Sequence, residues 1–159
     1  MKIIRAQSES IENINILIQK SKSFWNYPKS YLEAAIPLLM VDESYLNENT
    51  AFEIRMSEDL VGFFAFALKG TEVYLDHLWI EPSKINLGIG RHALLFTEIY
   101  ARENCWLELF TCPDPPAEGF YARNGFLDTG QRSPSRIDGG PQFSVFRRKF
   151  GNGDLNVRT

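Results

Sequence analysis

The chain has 159 residues, 44% of them hydrophobic and 23% charged, a length and balance that fit one ordinary domain and exclude wholesale disorder. Seventeen Lys and Arg against 20 Asp and Glu leave a net charge of −3, so no basic face is expected and no nucleic-acid partner. No apolar run reaches the roughly 18–20 residues of a membrane span, and Met1 to Gln7 turns polar too soon for a signal peptide; the expectation is a cytoplasmic protein with no membrane partner.

Ile3 to Ala6 reads as a short strand, and Ser8 or Ser10 as the cap of a helix carrying Ile11, Ile14, Leu17 and Ile18 at helical spacing. That helix should fade near Ser21-Lys22-Ser23, with an aromatic connection, Ser23 to Tyr27, leading to a second helix that starts around Pro28 and carries Tyr31, Leu32, Ala35 and Leu39. Phe52, Ile54 and Met56 alternate with charged residues, as in a half-buried strand, and Ser57-Glu58-Asp59 makes a turn. Leu60 to Leu68 is apolar almost throughout, which predicts a strand buried on both faces. Lys69 to Glu72 turns the chain again into Val73 to Ile80, closing an antiparallel meander that ends at Glu81-Pro82.

Gly88-Ile89-Gly90 then opens a long helix with Ile89, Ala93, Phe96 and Tyr100 on one stripe and Asn104 as its C-terminal cap. Cys105 to Thr111 is a further strand, so strand, Gly-rich loop, helix and strand imply a right-handed crossover and a parallel pair. Pro115-Pro116 starts a short helix ending at Asn124-Gly125, strands follow near Phe126 to Thr129 and Gln142 to Phe150, and Gln131 to Pro141 is a long connection of the kind that carries function. The expected fold is α+β, a mixed and mainly antiparallel sheet flanked by helices, in a single domain over residues 1–150 with a flexible tail over 151–159. Cys105 and Cys112 have no zinc-like spacing with either His and read as reduced, buried or half-buried thiols; no metal is expected.

Two segments carry chemistry. Leu87-Gly88-Ile89-Gly90-Arg91 lies between strand and helix, where backbone amides and the helix dipole attract an anion. A phosphate-binding Gly-Lys-Ser/Thr does not follow, and the meander before it speaks against a dinucleotide fold. One strand later, Asp114-Pro115-Pro116 leads to Phe120-Tyr121 and then Asn124-Gly125-Phe126, which on its own reads as an amphipathic helix.

Together the two segments resemble the GNAT superfamily of N-acetyltransferases, with the specific part of the likeness between Leu75 and Phe126 and the looser part over residues 1 to 150. The resemblance implies acetyl-CoA as co-substrate, no metal, and two parallel strands splayed apart to admit it. It implies that Leu87, Gly88, Ile89, Gly90 and Arg91 grip the pyrophosphate. Leu78, Trp79 and Ile80 would lend backbone groups to the pantetheine arm, and Tyr121 would protonate the departing thiolate. The family's loop usually has Arg or Gln where Ile85 stands here, with Lys84 or Arg91 available to compensate, and many relatives have Asn where Asp114 stands, seven residues before Tyr121. An Asp still accepts a hydrogen bond from the cofactor's amide but donates none as a carboxylate.

Transfer to an amine needs a neutral nucleophile and a polarised carbonyl, and a backbone N–H at Leu78 or Trp79 is placed to donate to that oxygen. Asp76, His77 and Glu81 lie at the cofactor strand and offer a base, Asp76 and His77 facing opposite sides of a regular strand; Glu33, on the second helix, is the other reachable carboxylate. Trp25 and Tyr27 with Glu33 are the expected acceptor-binding residues, an aromatic and acidic wall suited to a cationic amine. The expected function is direct acetyl transfer from acetyl-CoA to a primary amine of a small molecule or peptide. The alternative is an acyl-CoA-binding regulatory module of the same fold without turnover. The family commonly forms dimers, which makes a homodimer the oligomer to consider.

Overall fold

A computed structural model describes residues 1–151, and the expected tail lies outside the described residues apart from Gly151. Seven strands form one sheet in the order β1-β2-β3-β4-β5-β7-β6, where β1 is Lys2–Arg5, β2 Thr50–Met56, β3 Asp59–Lys69, β4 Glu72–Ile80, β5 Glu108–Thr111, β6 Leu127–Ser133 and β7 Phe143–Lys149. Every neighbouring pair is antiparallel except β4 and β5, which run parallel and register at one pair, Tyr74 with Phe110. Beyond that pair the two strands part. The mixed α+β architecture matches the expectation from sequence.

The helices α1 (Ile11–Phe24), α2 (Lys29–Leu39), α3 (Glu43–Glu48), α4 (Ile89–Glu103) and α5 (Glu118–Arg123) cover both faces. Ile14, Leu17 and Ile18 of α1 pack with Phe63, Ala65 and Trp79 on one face. Ile89, Ala93, Leu94 and Ala101 of α4 pack with Phe64, Phe66 and Leu75 on the other. This double covering explains the continuous apolar run of β3, and it also corrects the alternation expected for β2. Glu53 is 1% exposed while Met56 is an exposed strand end. Buried Glu53 is tolerable because Arg55 Nη2 sits 2.7 Å from its Oε2 and the Gln7 N–H donates to its Oε1 at 3.3 Å.

Several local expectations change. Neither Ser8 nor Ser10 caps α1 with its side chain; a short 3-10 turn over Ser8–Ser10 leads into it instead. The helix runs through Ser21-Lys22-Ser23 because Ser21 and Lys22 are buried and packing outweighs their weaker propensity. In α2 only Ala35 is buried, so its apolar stripe is shallow. Helix α3 is additional to the elements expected from sequence, although Asp42 caps it by accepting the Tyr45 N–H at 2.7 Å. Strand β5 begins at Glu108, not Cys105, because Cys105 turns the chain at φ 56. Cys105 is therefore exposed, while Cys112 is half-buried. Strand β6 extends to Ser133, pairing Arg132 with Ser144 and Ser133 with Phe143, so the long connection shrinks to residues 134–142.

Candidate active site

Where β4 and β5 part, a cleft of about 960 Å³ opens between them, the start of α4 and the segment Asp114 to Gly125. Gly88 precedes α4 with φ 82, a conformation that side chains rarely adopt, and a Cβ built there would meet nothing within 4 Å. Gly88, Ile89, Gly90 and Arg91 line the cleft, so the start of a 15-residue helix, whose first amides have no intrahelical partners, borders it in the manner of an anion site. Gly90 is needed for a different reason: a Cβ there would lie 3.0 Å from Phe120 Cζ. Lys84, Arg91, Arg123 and Arg148 line the same cleft, and Arg148 is bonded to Glu98 Oε2 at 2.5 Å.

The predicted residues divide by position. Leu78, Trp79, Ile80, Gly88, Ile89, Gly90, Arg91, Asp114, Tyr121, Asp76 and Trp25 all line the cleft. Leu87 stands beside the cradle with its side chain exposed. Glu33 points to solvent, 67% exposed and 3.7 Å from Lys29 Nζ; the structure does not bring it to the site, because α2 is anchored through Ala35 on the opposite stripe. Tyr27 reaches the site through Asp114, donating its hydroxyl to Oδ1 at 2.6 Å.

A β-bulge corrects the expected orientation of Asp76 and His77. On β3, Ala65 pairs with His77 and the next residue, Phe66, pairs with Leu75, so Asp76 is an extra residue in β4. The bulge turns Asp76 and His77 to the same side, towards Tyr45. The Tyr45 hydroxyl donates to Asp76 Oδ2 at 2.7 Å, and its ring lies 5.2 Å from that of His77. Lys69 Nζ completes the group 3.1 Å from Asp76 Oδ1. Burial raises the Asp76 carboxyl, but the Tyr45 hydroxyl, His77 and Lys69 outweigh it and hold it below the ordinary carboxylate range.

His77 is 6% exposed and does not line the cleft. Trp79 Nε1 donates to its Nδ1 at 2.8 Å, which leaves the ring proton on Nε2, facing Asp76 Oδ2 at 3.8 Å. Burial pushes the imidazole down to about 4, with Lys69 adding to the effect and Asp76 opposing it. A pKa depressed on folding has a fixed consequence. Between about 4 and the unfolded value near 6.5 the unfolded chain binds the proton and the native chain refuses it, so stability is present above that window and lost as pH falls through it. His77→Gln should flatten the pH dependence of stability, sparing about 2 kcal/mol of the loss by pH 5. Denaturant titrations of both proteins at pH 7 and pH 5 check this, and equal pH slopes would contradict it.

Tyr121 is 6% exposed, its ring packed edge-on against Phe120 and Phe126. Burial raises its phenol above the ordinary value of 10, the Thr111 hydroxyl partly offsetting this and the Asp114 charge adding to it. The phenol therefore carries its proton at any working pH. Three groups at the site escape sequence reasoning. Tyr45 lies on α3, which no periodicity announces. Lys69 reads only as a turn residue and Lys22 as a helix end, though a place on the Ile14, Leu17, Ile18 stripe is a signal that Lys22 is buried.

The sequence matches the acetyltransferase (GNAT) family over residues 16–126. No curated protein matches it. Among solved structures the chain is similar to PaiA N-acetyltransferase from Thermoplasma acidophilum in complex with coenzyme A, at 19% identity and TM-score 0.79 over 94% of this chain and 98% of that one. It is similar to a GCN5-related N-acetyltransferase from Rhodopseudomonas palustris, at 18% identity and TM-score 0.80 over 94% and 95%. The ribosomal-protein-S18-alanine N-acetyltransferase from Escherichia coli shares 13% identity and TM-score 0.69 over 99% of each chain. At these identities the likeness is one of fold.

Proposed function

The chain belongs to the acetyltransferase (GNAT) family, and on that premise we propose that residues 1–150 act as one acetyl-CoA-dependent N-acetyltransferase domain whose acceptor is a primary amine of a small molecule or peptide. The observation that carries the reading is the meeting, in one cleft, of an open helix-start cradle and a buried phenol. The residues fit coenzyme A. Open space lies beside Gly88 at the helix start, and Lys84, Arg91 and Arg123 line the cleft with positive charge. Among the described residues no group of His, Cys, Asp and Glu could hold a metal ion, and no helix is long and apolar enough to cross a membrane.

When bound, acetyl-CoA supplies a thioester, which an amine attacks directly. The remaining work belongs to the chain. The α4 amides from Ile89 onward, with Lys84 and Arg91, hold the pyrophosphate, while Leu78, Trp79 and Ile80 present strand backbone to the pantetheine arm. A backbone N–H of Leu78 or Trp79 donates to the carbonyl oxygen as it gains charge. Tyr121 gives its proton to the sulfur as the carbon–sulfur bond breaks and regains one from water in the cleft. Asp76 stays ionised at neutral pH and so attracts an ammonium, orienting the acceptor from the bulge side. A carboxylate held so low is a weak base, so the ammonium sheds one proton to water at the open side of the cleft before the attack and the nitrogen sheds a second to water after it. His77, buried outside the cleft with its Nδ1 taken by Trp79, is not assigned to proton transfer.

Thiol release from acetyl-CoA, monitored across a panel of amines, tests the reading: at least one amine class should give amine-dependent release. Binding of CoA without release across all classes would favour the regulatory module. Trp25, which lines the cleft beside Ser21, is assigned to the acceptor wall. Trp25→Ala should raise the acceptor KM by roughly tenfold, the loss of a buried aromatic contact, with little change in the KM for acetyl-CoA. Equal changes in both would show a structural role instead.

A further inference from the structure

Lys22 is the charged residue among the buried positions of α1. Its Nζ lies 2.5 Å from Asp114 Oδ1, the two side chains being 5% and 11% exposed. The same nitrogen sits 4.5 Å from the centre of the Tyr27 ring and 5.4 Å from those of Tyr31 and Phe143, so three aromatic faces and one carboxylate enclose the cation. The Tyr27 hydroxyl donates to the same oxygen of Asp114. A buried ion pair of this kind is a poor way to gain stability, since apolar residues of similar volume serve as well or better. Its place suggests what it does. Asp114 lines the cleft, both donors fall on Oδ1, and neither uses Oδ2.

We propose that Lys22 is a positioning residue for the cofactor side of the cleft: it fixes the Asp114 carboxylate so that its second oxygen accepts an amide N–H of coenzyme A, and through Tyr27 it ties that acceptor to the Trp25 wall. The inference rests on the coenzyme A reading above and deepens it. At this position an amide side chain would accept the same hydrogen bond without a counter-charge. A carboxylate requires a cation buried beside it, and Lys22 supplies one from α1. Lys22 and Asp114 therefore work as a unit, and substitutions at the two should be strongly non-additive.

The test is a calorimetric titration with free CoA, alongside thermal melts, of wild type, Lys22→Met, Asp114→Asn, the double variant and Tyr27→Phe. Each single change at the ion pair leaves one buried charge unpaired and should lower Tm by roughly 10 °C. Lys22→Met should also raise the CoA Kd about tenfold, the loss of one charge-assisted contact. The double variant should recover most of the Tm and bind CoA within about threefold of wild type, because the amide introduced by Asp114→Asn accepts without a counter-charge. Tyr27→Phe, which keeps the ring and the fold, should raise the Kd about threefold. Wild-type-like CoA binding by Lys22→Met, or a double variant no better than the product of the singles, would overturn the inference and leave the cofactor assignment standing. If Lys22→Met does not fold, the double variant and Tyr27→Phe decide. Failure of wild type itself to bind CoA would overturn both.

Discussion

Tyr121→Phe should lower turnover by roughly 10²–10³-fold, the usual contribution of a positioned general acid, while thermal stability and CoA affinity change little. The ring is held between Phe120 and Phe126, at centroid distances of 5.2 and 5.4 Å, and those contacts survive in phenylalanine. Only the oxygen is lost. Burial keeps the phenol protonated, so a proton is always present for the sulfur. The same burial makes the phenol a weaker acid, a cost that the Thr111 hydroxyl partly offsets by stabilising the phenolate. Pre-steady-state thiol release, measured where chemistry limits the rate, reads the effect. Wild-type rates in the variant would remove Tyr121 from proton transfer and leave it as a core aromatic.

Gly88→Val should abolish most of the affinity for CoA, raising its Kd by about 100-fold, as expected from losing one or two charge-assisted hydrogen bonds to a pyrophosphate. Two effects combine. A left-handed φ of 82 costs a side-chain-bearing residue about 1–2 kcal/mol, and on the proposed reading the branched side chain competes with the anion for the open space at the start of α4. The first effect shows in the melt of the free protein and the second in the CoA titration. Gly88→Ala, which adds only a methyl group at the same strained position, separates them: it should share most of the stability loss but less of the affinity loss. If both variants bound CoA as wild type does, the anion would not sit at the start of α4.

The part of the cleft proposed to hold the cofactor is readable in the sequence because backbone geometry defines it. Glycines at 88 and 90, the helix stripe behind them and the Pro-started helix after β5 are local patterns, and each falls where its spacing places it. The part proposed for the acceptor is less legible because it depends on events between strands. One extra residue in β4 at Asp76, invisible to period-two reasoning, turns Asp76 and His77 to one side and removes His77 from the cleft. Glu33 and Trp25 sit on neighbouring elements with similar credentials, yet the packing of Ala35 sends Glu33 to water while Trp25 faces the site. Lys22 shows the third kind of difficulty. Its partner is 92 residues away in the chain, and no local rule announces that an ammonium on a buried stripe will meet a carboxylate there. Tyr45 is hidden by α3, a helix of six residues too short to show a period but marked by its Asp42 cap.

Whether this cleft holds the acyl donor through the start of α4 is tested most directly by titrating wild-type protein with CoA, followed by calorimetry and by the thermal melt. The expected result is one binding site per chain and a stabilisation of about 2.7 kcal/mol at a ligand concentration 100 times the Kd. A titration without heat, together with a melt indifferent to both CoA and acetyl-CoA at millimolar concentration, would contradict it.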